Sequence, residues 1–297
     1  MSAKVLLIGQ NGQVSNYIQA ALENDASIEL HVAGRDRIDL SEPQHLAVGL
    51  AEYNADVIIN PAAYTAVDLA EEERELAFVI NRDAVAELAK YSADNNVPLI
   101  HFSTDYVFAG DSETPYLEHH EPAPTGVYGA SKLAGEKAIL ESQAPAVILR
   151  TAWVYSNHGK NFYKTMLKLS ESRTELSVVS DQIGAPTYAG SIAESSRRIL
   201  KKIIEQDAVL PHQKGVFHFS CQGQTSWCDF AKAIFVENQI NSMQVKPITT
   251  QDYPTPAKRP AYSVLDGSKL QEVFDISLPH WGTALAQCAA ETAKLKT

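Results

Sequence analysis

Three side chains suggest chemistry before any fold is considered: a hydroxyl, a phenol and an ammonium. Thr104 closes the run Pro-Leu-Ile-His-Phe-Ser-Thr-Asp at 98–105, and Tyr128 and Lys132 stand four residues apart in Tyr-Gly-Ala-Ser-Lys-Leu-Ala-Gly-Glu. On a helix, positions i and i+4 share a face, so phenol and ammonium point the same way. A strand-end Thr beside such a pair is equipment for moving a proton at a carbonyl or carbinol oxygen. A free phenol has a pKa of about 10, and lowering it by about three units takes roughly 4 kcal/mol of differential stabilisation. That exceeds what one exposed ammonium gives, so the spacing implies a shielded site. Tyr and Lys at this spacing are often an ordinary exposed pair; here they follow Ser-Thr-Asp within a chain whose start reads as a nucleotide-binding turn.

That start is an apolar run at 5–8 followed by Gly-Gln-Asn-Gly-Gln-Val-Ser at 9–15, which reads strand, tight turn, helix. Gly9 and Gly12 permit backbone angles and close approach that a side chain would block. The turn presents free helix N–H groups to a pyrophosphate. Ser15 stands where a third Gly often lets helix and strand pack closely, which would set the first helix slightly off the strand. A second strand at 28–33 runs into Ala-Gly-Arg-Asp-Arg. An acidic residue there would hold ribose hydroxyls, whereas Arg35 suits a 2′-phosphate, so NADPH is expected ahead of NADH. The other reading is two solvated arginines, Arg35 and Arg37, flanking Asp36. Asp39 and Leu40 follow where an adenine edge could be read.

A third strand at 57–60 leads into Pro-Ala-Ala-Tyr-Thr-Ala-Val-Asp. Ala62 and Ala63 either let a flat ligand lie on the backbone or fill a packing site. A helix is expected at 71–93, its Asn81 facing either the sheet or solvent. A polar, proline-containing loop at 111–125 edges the site, and a helix at 128–141 carries the Tyr–Lys pair. The strand at 146–150 ends in Thr-Ala-Trp-Val-Tyr, which places Trp153 at the ligand-bearing edge as a core residue or as the wall of a sugar-like ligand.

Strands recurring about every thirty residues with helices between them predict an α/β fold, a doubly wound Rossmann-type parallel sheet, over residues 1–155. The rhythm then breaks. Helices at 159–172, 191–206 and 225–238 and strands at 176–179 and 216–220 predict a smaller α/β substrate domain over 156–297, with some segments returning to the first. The proline-rich segment 253–263 suits neither helix nor central strand. It holds Lys258 and Arg259, as a surface connection or as an anion contact.

Composition narrows the function. A net charge of −11 over 297 residues argues against non-specific nucleic-acid binding. Three cysteines, Cys221, Cys228 and Cys288, with no C-x-x-C spacing, argue against a disulfide framework or a zinc site. No metal-ligand spacing and no Ser-His-Asp arrangement is legible; His119 and His120 would point apart in an extended loop. No apolar stretch nears the roughly 20 residues that span a bilayer, and Met1 leads into a strand within four residues. A cytoplasmic protein without a membrane partner is expected.

Taken together, these motifs resemble the extended short-chain dehydrogenase/reductase superfamily, and within it the reductases of keto-sugar nucleotides. The likeness spans nearly the whole chain. It rests on the motifs beginning at Gly9, Asn60, Ser103, Tyr128 and Arg150, and most specifically on Asp-Gln-Ile-Gly-Ala-Pro-Thr from Asp181 and Tyr-Pro-Thr-Pro-Ala-Lys-Arg-Pro from Tyr253. The resemblance implies NAD(P)H-dependent reduction of the 4-keto group of dTDP-4-dehydro-β-L-rhamnose. It makes Tyr128 the proton donor, Lys132 its partner and a cofactor contact, and Thr104 the group that tunes the phenol. It lays Gly9, Gln10, Asn11, Gly12, Gln13, Val14, Arg35, Asp39, Leu40, Ala62, Ala63, Tyr64, Thr65 and Phe102 along the cofactor. It brings Val67, Thr104, Asp105, Val107, Tyr128, Trp153 and Arg259 to the sugar nucleotide. Gly126 departs from the pattern, which has Asn there; if that Asn orders the loop, another group must do so here. Some members bridge a dimer with Mg²⁺ through glutamates. Glu291 is acidic, but Tyr17 and Gly190 stand near the other positions, so no metal is expected and the chain is a monomer or an unbridged homodimer.

Two other functions compete. A 4,6-dehydratase or epimerase is one; a dehydratase needs Thr-Asp-Glu after the strand, and Tyr106 occupies the third place. The other is a non-catalytic NADP-binding regulatory subunit, against which the intact Thr104, Tyr128 and Lys132 argue.

Overall fold

The computed structural model describes residues 2–295. Its centre is a six-stranded parallel sheet. Five strands come from the first half: β1 (Ala3–Ile8), β2 (Ile28–Ala33), β3 (Val57–Asn60), β4 (Leu99–Thr104) and β5 (Ala146–Thr151). The sixth, Gly215–His218, returns from the second half to flank β5, giving the order sixth-β5-β4-β3-β1-β2. β3, β4 and β5 are buried along their whole length, as continuous apolar runs covered on both faces must be. Alternation along β1 divides the core. Val5 and Leu7 join one apolar cluster with Ile192, Ile199 and Ile203 of the helix Ala189–Gln206, while Leu6 and Ile8 join another with Leu46, Leu50 and Leu88.

On the second face lie α2 (Leu46–Tyr53), α3 (Arg74–Phe78), α4 (Ala84–Asn95) and α5 (Val127–Ser142); α1 (Gln13–Leu22) lies on the first. The single helix expected at 71–93 is α3 and α4 joined by a π-helical turn, Val79–Asp83. In the second half, Glu175–Val179 pairs in parallel with Gln244–Ile248, and the segment after Tyr253 is irregular, as its prolines require. Gln244–Ile248 was not anticipated: it is short, largely exposed and contains Pro247, a pattern that reads as edge or loop.

α5 positions the reactive pair, and it sits unusually close to the strand ends. A Cβ at Gly129 would lie 2.1 Å from the Tyr106 carbonyl oxygen, so only glycine admits this approach. The helix starts at Gly126, which offers no side-chain cap. Glu71 supplies one instead: its Oε1 accepts the Val127 N–H at 2.9 Å. Deeper in, Arg150 of β5 makes a two-point ion pair with Glu136 of α5, with N···O distances of 2.9 and 2.6 Å, and Ser103 of β4 donates to the same carboxylate. Gly129→Ala is therefore expected to cost about 1–3 kcal/mol or more through backbone overlap. Gly267→Ala, where an added Cβ meets nothing within 4 Å, should stay within about 0.5 kcal/mol of wild type. Urea unfolding midpoints at unchanged slope measure both.

Candidate active site

The carboxyl ends of β1, β3, β4 and β5 open on a cavity of about 550 Å³. It is lined by Gly9, Gly12, Gln13, Val14, Ala62, Ala63, Thr65, Val67, Phe102, Thr104, Asp105, Tyr128, Lys132 and Trp153, so most of the residues singled out in the sequence converge here. A second cavity of about 620 Å³, lined by residues such as His218, Gln222 and Asp266, contains none of them.

At the cofactor end, Gly9 takes φ +99° and Gly12 begins α1 with no side-chain cap, leaving the first N–H groups of the helix available. Ser15 is buried, and its hydroxyl lies within van der Waals range of where Gly9 and Gly12 would carry a Cβ. Gln13 accepts from Ser156 (2.8 Å) and Asn161 (2.7 Å), tying the turn to the second half of the chain. Arg35 is exposed just beyond β2. Burial opposes the charge on Asp39, but the Ser41 hydroxyl and amide, with Arg35 nearby, hold its carboxyl below the ordinary range. Leu40 is buried with α2, and Gln10 and Asn11 are exposed on the turn. The backbone of Tyr64 is gripped on both sides by Asn81, whose Oδ1 accepts its N–H at 2.9 Å and whose Nδ2 donates to its carbonyl at 3.0 Å. Asn81 also donates to Ser131 of α5, so of its two readings it is the buried one.

At the reacting end, burial pushes the Tyr128 phenol above its ordinary pKa, while the nearby Thr104 hydroxyl pulls it down. Thr104 in turn donates to Asp105 at 3.0 Å. Lys132 does not follow the expected geometry. Its ammonium turns inward, donating to the Phe102 carbonyl at 2.7 Å and lying 3.2 Å from His101 Nε2, so the sharing of a helix face does not bring it onto the phenol. Burial lowers its pKa to about 8, partly offset by Glu136. Asp105 is 1% exposed with Oδ2 unpartnered, and burial pushes its carboxyl up to about 6 against hydrogen bonds from Ser263 and Thr104.

The structure corrects one site assignment and resolves another. Val107 is wholly buried among Phe108, Tyr116, Ala152 and Leu265, so its side chain faces the core and cannot meet a ligand. Trp153 is both wall and packed residue. It adopts φ +47°, lines the cavity, and stacks on Trp227 at 3.5 Å with planes 4° apart. Arg259 reaches Asp68 at 2.6 Å and lies over the Tyr106 ring, with its other terminal nitrogen buried and unpartnered. Glu291 accepts from the phenols of Tyr17 and Tyr188. Among the described residues, no group of three or more His, Cys, Asp or Glu is placed to hold a metal ion.

Comparison with known proteins fits this geometry. The family model described as the RmlD substrate binding domain matches residues 3–294. The chain belongs to the RmlD family. It is 42% identical to the dTDP-4-dehydrorhamnose reductase of Sinorhizobium fredii over 281 residues, 94% of each chain. It is 40% identical to that of Escherichia coli K12, over 93% of this chain and 94% of the relative. The crystal structure of dTDP-4-dehydrorhamnose reductase from Bacillus anthracis in complex with NADP superposes with a TM-score of 0.90 at 36% identity, covering 98% of this chain and all of that one.

Within this RmlD-family site, no spacing or residue type singled out His101, Lys160 or Trp227 beforehand, and Asn60 stood only at the head of a motif, with no role. Lys160 lines the cavity from a loop, where position in the sequence says nothing about where a side chain ends. His101 and Asn60 lie inside apolar strands and read as core. Trp227 is 74 residues from the ring it supports.

The raised Asp105 carboxyl has a consequence for stability. Its folded pKa of about 6 lies above the ordinary 3.8, so its contribution is favourable at low pH and is lost as pH rises through 6. Asp105→Asn should accordingly be more stable than wild type above pH 6, by up to roughly 3 kcal/mol, with the difference vanishing near pH 4. Thermal unfolding across that range, with activity followed separately, measures it.

Proposed function

We propose that this chain reduces the 4-keto group of dTDP-4-dehydro-β-L-rhamnose to dTDP-β-L-rhamnose with NADPH, NADH being the lesser cofactor. The observation that carries this reading is the convergence on one cavity of an uncapped glycine turn and the Thr104, Tyr128 and Lys132 side chains, in a chain of the RmlD family. The turn fits a dinucleotide: Gly9 has the backbone angle, α1 the open N–H groups, and Arg35 the exposed cation beyond β2 that a 2′-phosphate takes. NADPH, when bound, supplies the hydride.

The chain's own residues do the rest. Tyr128 gives its proton to the substrate oxygen. Thr104 stabilises the phenolate that remains by turning its one hydroxyl proton from Asp105 to the phenol oxygen. Lys132, fixed at the cavity wall by the Phe102 carbonyl, presents positive charge and a donor to the ribose side of the cofactor. Trp153, backed by Trp227, forms a flat apolar wall for the deoxy-sugar. Lys160, which lines the cavity, and Arg259, with one unpartnered nitrogen, are the cations this reading assigns to the diphosphate. A cytoplasmic setting is supported by three free, buried cysteines, and no helix of the described residues is long and apolar enough to cross a membrane.

Purified protein should oxidise NADPH only when given the 4-keto-6-deoxy sugar nucleotide. Tyr128→Phe should lose at least ~10²-fold in turnover while retaining cofactor binding. Full activity in that variant, or no oxidation by wild type with any keto-sugar nucleotide, would sink the reading. A charge-assisted hydrogen bond is worth about 1.5–3 kcal/mol. Arg35→Ala should therefore raise the KM for NADPH by roughly 10- to 150-fold and leave that for NADH nearly unchanged, as paired steady-state assays would show.

A further inference from the structure

Behind Lys132 lies a file of buried polar side chains that the reaction as described does not use. Asn60 of β3 and His101 of β4 are directly abreast in the sheet register, and both are 0% exposed. Asn60 Nδ2 lies 3.2 Å from His101 Nδ1, and His101 Nε2 lies 3.2 Å from the Lys132 ammonium nitrogen. An imidazole and an amide in the middle of a parallel sheet are costly to bury unless they are hydrogen-bonded. Here the only charged group on the file is Lys132, at its cavity end.

The donor arithmetic is restrictive. An ammonium has donors and no acceptor, so a charged Lys132 requires the bare lone pair of His101 at Nε2 and its proton at Nδ1, towards the Asn60 amide. A neutral Lys132 amine can accept from Nε2–H, and His101 Nδ1 then accepts from Asn60 Nδ2. Which amide atom faces the ring follows the tautomer; in the second arrangement Asn60 Oδ1 keeps the Ala62 N–H at 3.2 Å. Each charge state of Lys132 thus has a matching tautomer of a neutral His101, the first requiring Asn60 to turn its Oδ1 from the Ala62 N–H to the ring. Burial and the Lys132 charge together hold His101 well below its ordinary pKa, so it stays neutral. The other ionisable groups around the amine are few. Glu136 on α5 is already paired with Arg150 of β5, and Asp105 and Tyr128 line the same cavity.

We infer that His101, backed by Asn60, is a positioning residue for Lys132: by exchanging tautomers it holds the amine at the cavity wall in either charge state, and as an acceptor it favours the charged state that serves the cofactor. This rests on the reading that Lys132 serves the cofactor. It assigns His101 no contact with substrate or cofactor; its effect passes through Lys132.

Wild type, His101→Leu, His101→Gln and Lys132→Met would be compared by NADPH binding and by kcat/KM for NADPH across pH 6–9.5. Wild type should lose activity as pH rises through about 8, where Lys132 discharges. His101→Leu removes the acceptor that favours the charged amine, so the alkaline limb should move down by about one pH unit and NADPH binding weaken roughly tenfold at pH 7.5, the loss of one hydrogen bond at about 1.4 kcal/mol. His101→Gln, which can still accept, should restore most of both. In wild type, imidazole ¹⁵N shifts should show His101 neutral throughout, with its proton on Nδ1 at pH 6.5 and on Nε2 above pH 8.5; this needs no variant to fold. An unshifted limb in His101→Leu, equal losses in the Leu and Gln variants at an unchanged limb, or a single tautomer across the range would overturn the inference while leaving the role of Lys132 intact. An unaltered profile in Lys132→Met would instead overturn the reading beneath it.

Discussion

Everything reactive in this chain depends on how closely α5 is pressed onto the carboxyl end of β4. Tyr128 and Lys132 ride on the helix; Thr104, Asp105 and the Phe102 carbonyl belong to the strand and its immediate continuation. They meet because glycine at 129 lets the helix backbone come against the Tyr106 carbonyl, where any side chain would overlap. The approach is held by polar contacts in an otherwise apolar interface: the buried Glu136–Arg150 pair with Ser103, the Asn81 amide reaching Ser131, and the Lys132 ammonium on a strand carbonyl. Buried ion pairs contribute little net stability compared with apolar replacements, but losing one partner is expensive. Their role here is to fix one register of helix on strand, which sets whether the phenol reaches the substrate oxygen.

The same closeness explains why the Tyr–Lys motif behaves differently from its sequence spacing. Four residues on a helix place two side chains on one face, and that much holds. What spacing cannot say is where a long, flexible side chain ends once its surroundings are dry. With a carbonyl at 2.7 Å and an imidazole at 3.2 Å on the sheet side, the ammonium finds its partners inward, and the phenol is left to Thr104. The phenol's elevated pKa is then set chiefly by its burial.

The parallel sheet was readable because its central strands are buried on both faces and so appear as apolar runs separated by helix-length polar-patterned segments; 57–60 falls where the residues place it, as does the partly exposed edge strand 28–33. Exposed or very short elements, such as Gln244–Ile248, carry no such pattern. In the site, the residues with unusual types or glycine spacing could be named from the chain alone. Those that act by supporting another side chain could not be given that role. Asn81 could be named but left between a sheet-facing and a solvent-facing reading, His101 looks like an ordinary buried position until the fold shows what it touches, and Glu71 caps α5 across 56 residues of sequence. Gly126, standing where the family pattern has Asn, called for another group, and Glu71 supplies the helix cap from elsewhere in space.

Why this cavity should reduce its substrate and not dehydrate it follows from its single carboxylate. Elimination of water from a keto-sugar needs both an acid and a base held on the ring. Among the described residues lining the cavity, Asp105 is the only carboxylate, and the next residue, Tyr106, is a phenol whose burial pushes its pKa up to about 12 despite the neighbouring Arg259. A phenol so placed remains protonated and cannot take the second role. Asp105 itself is desolvated, bonded to Thr104 and only partly ionised near pH 6. In the proposed reaction Tyr128 gives the proton, and a single proton delivered alongside a hydride is the requirement of carbonyl reduction.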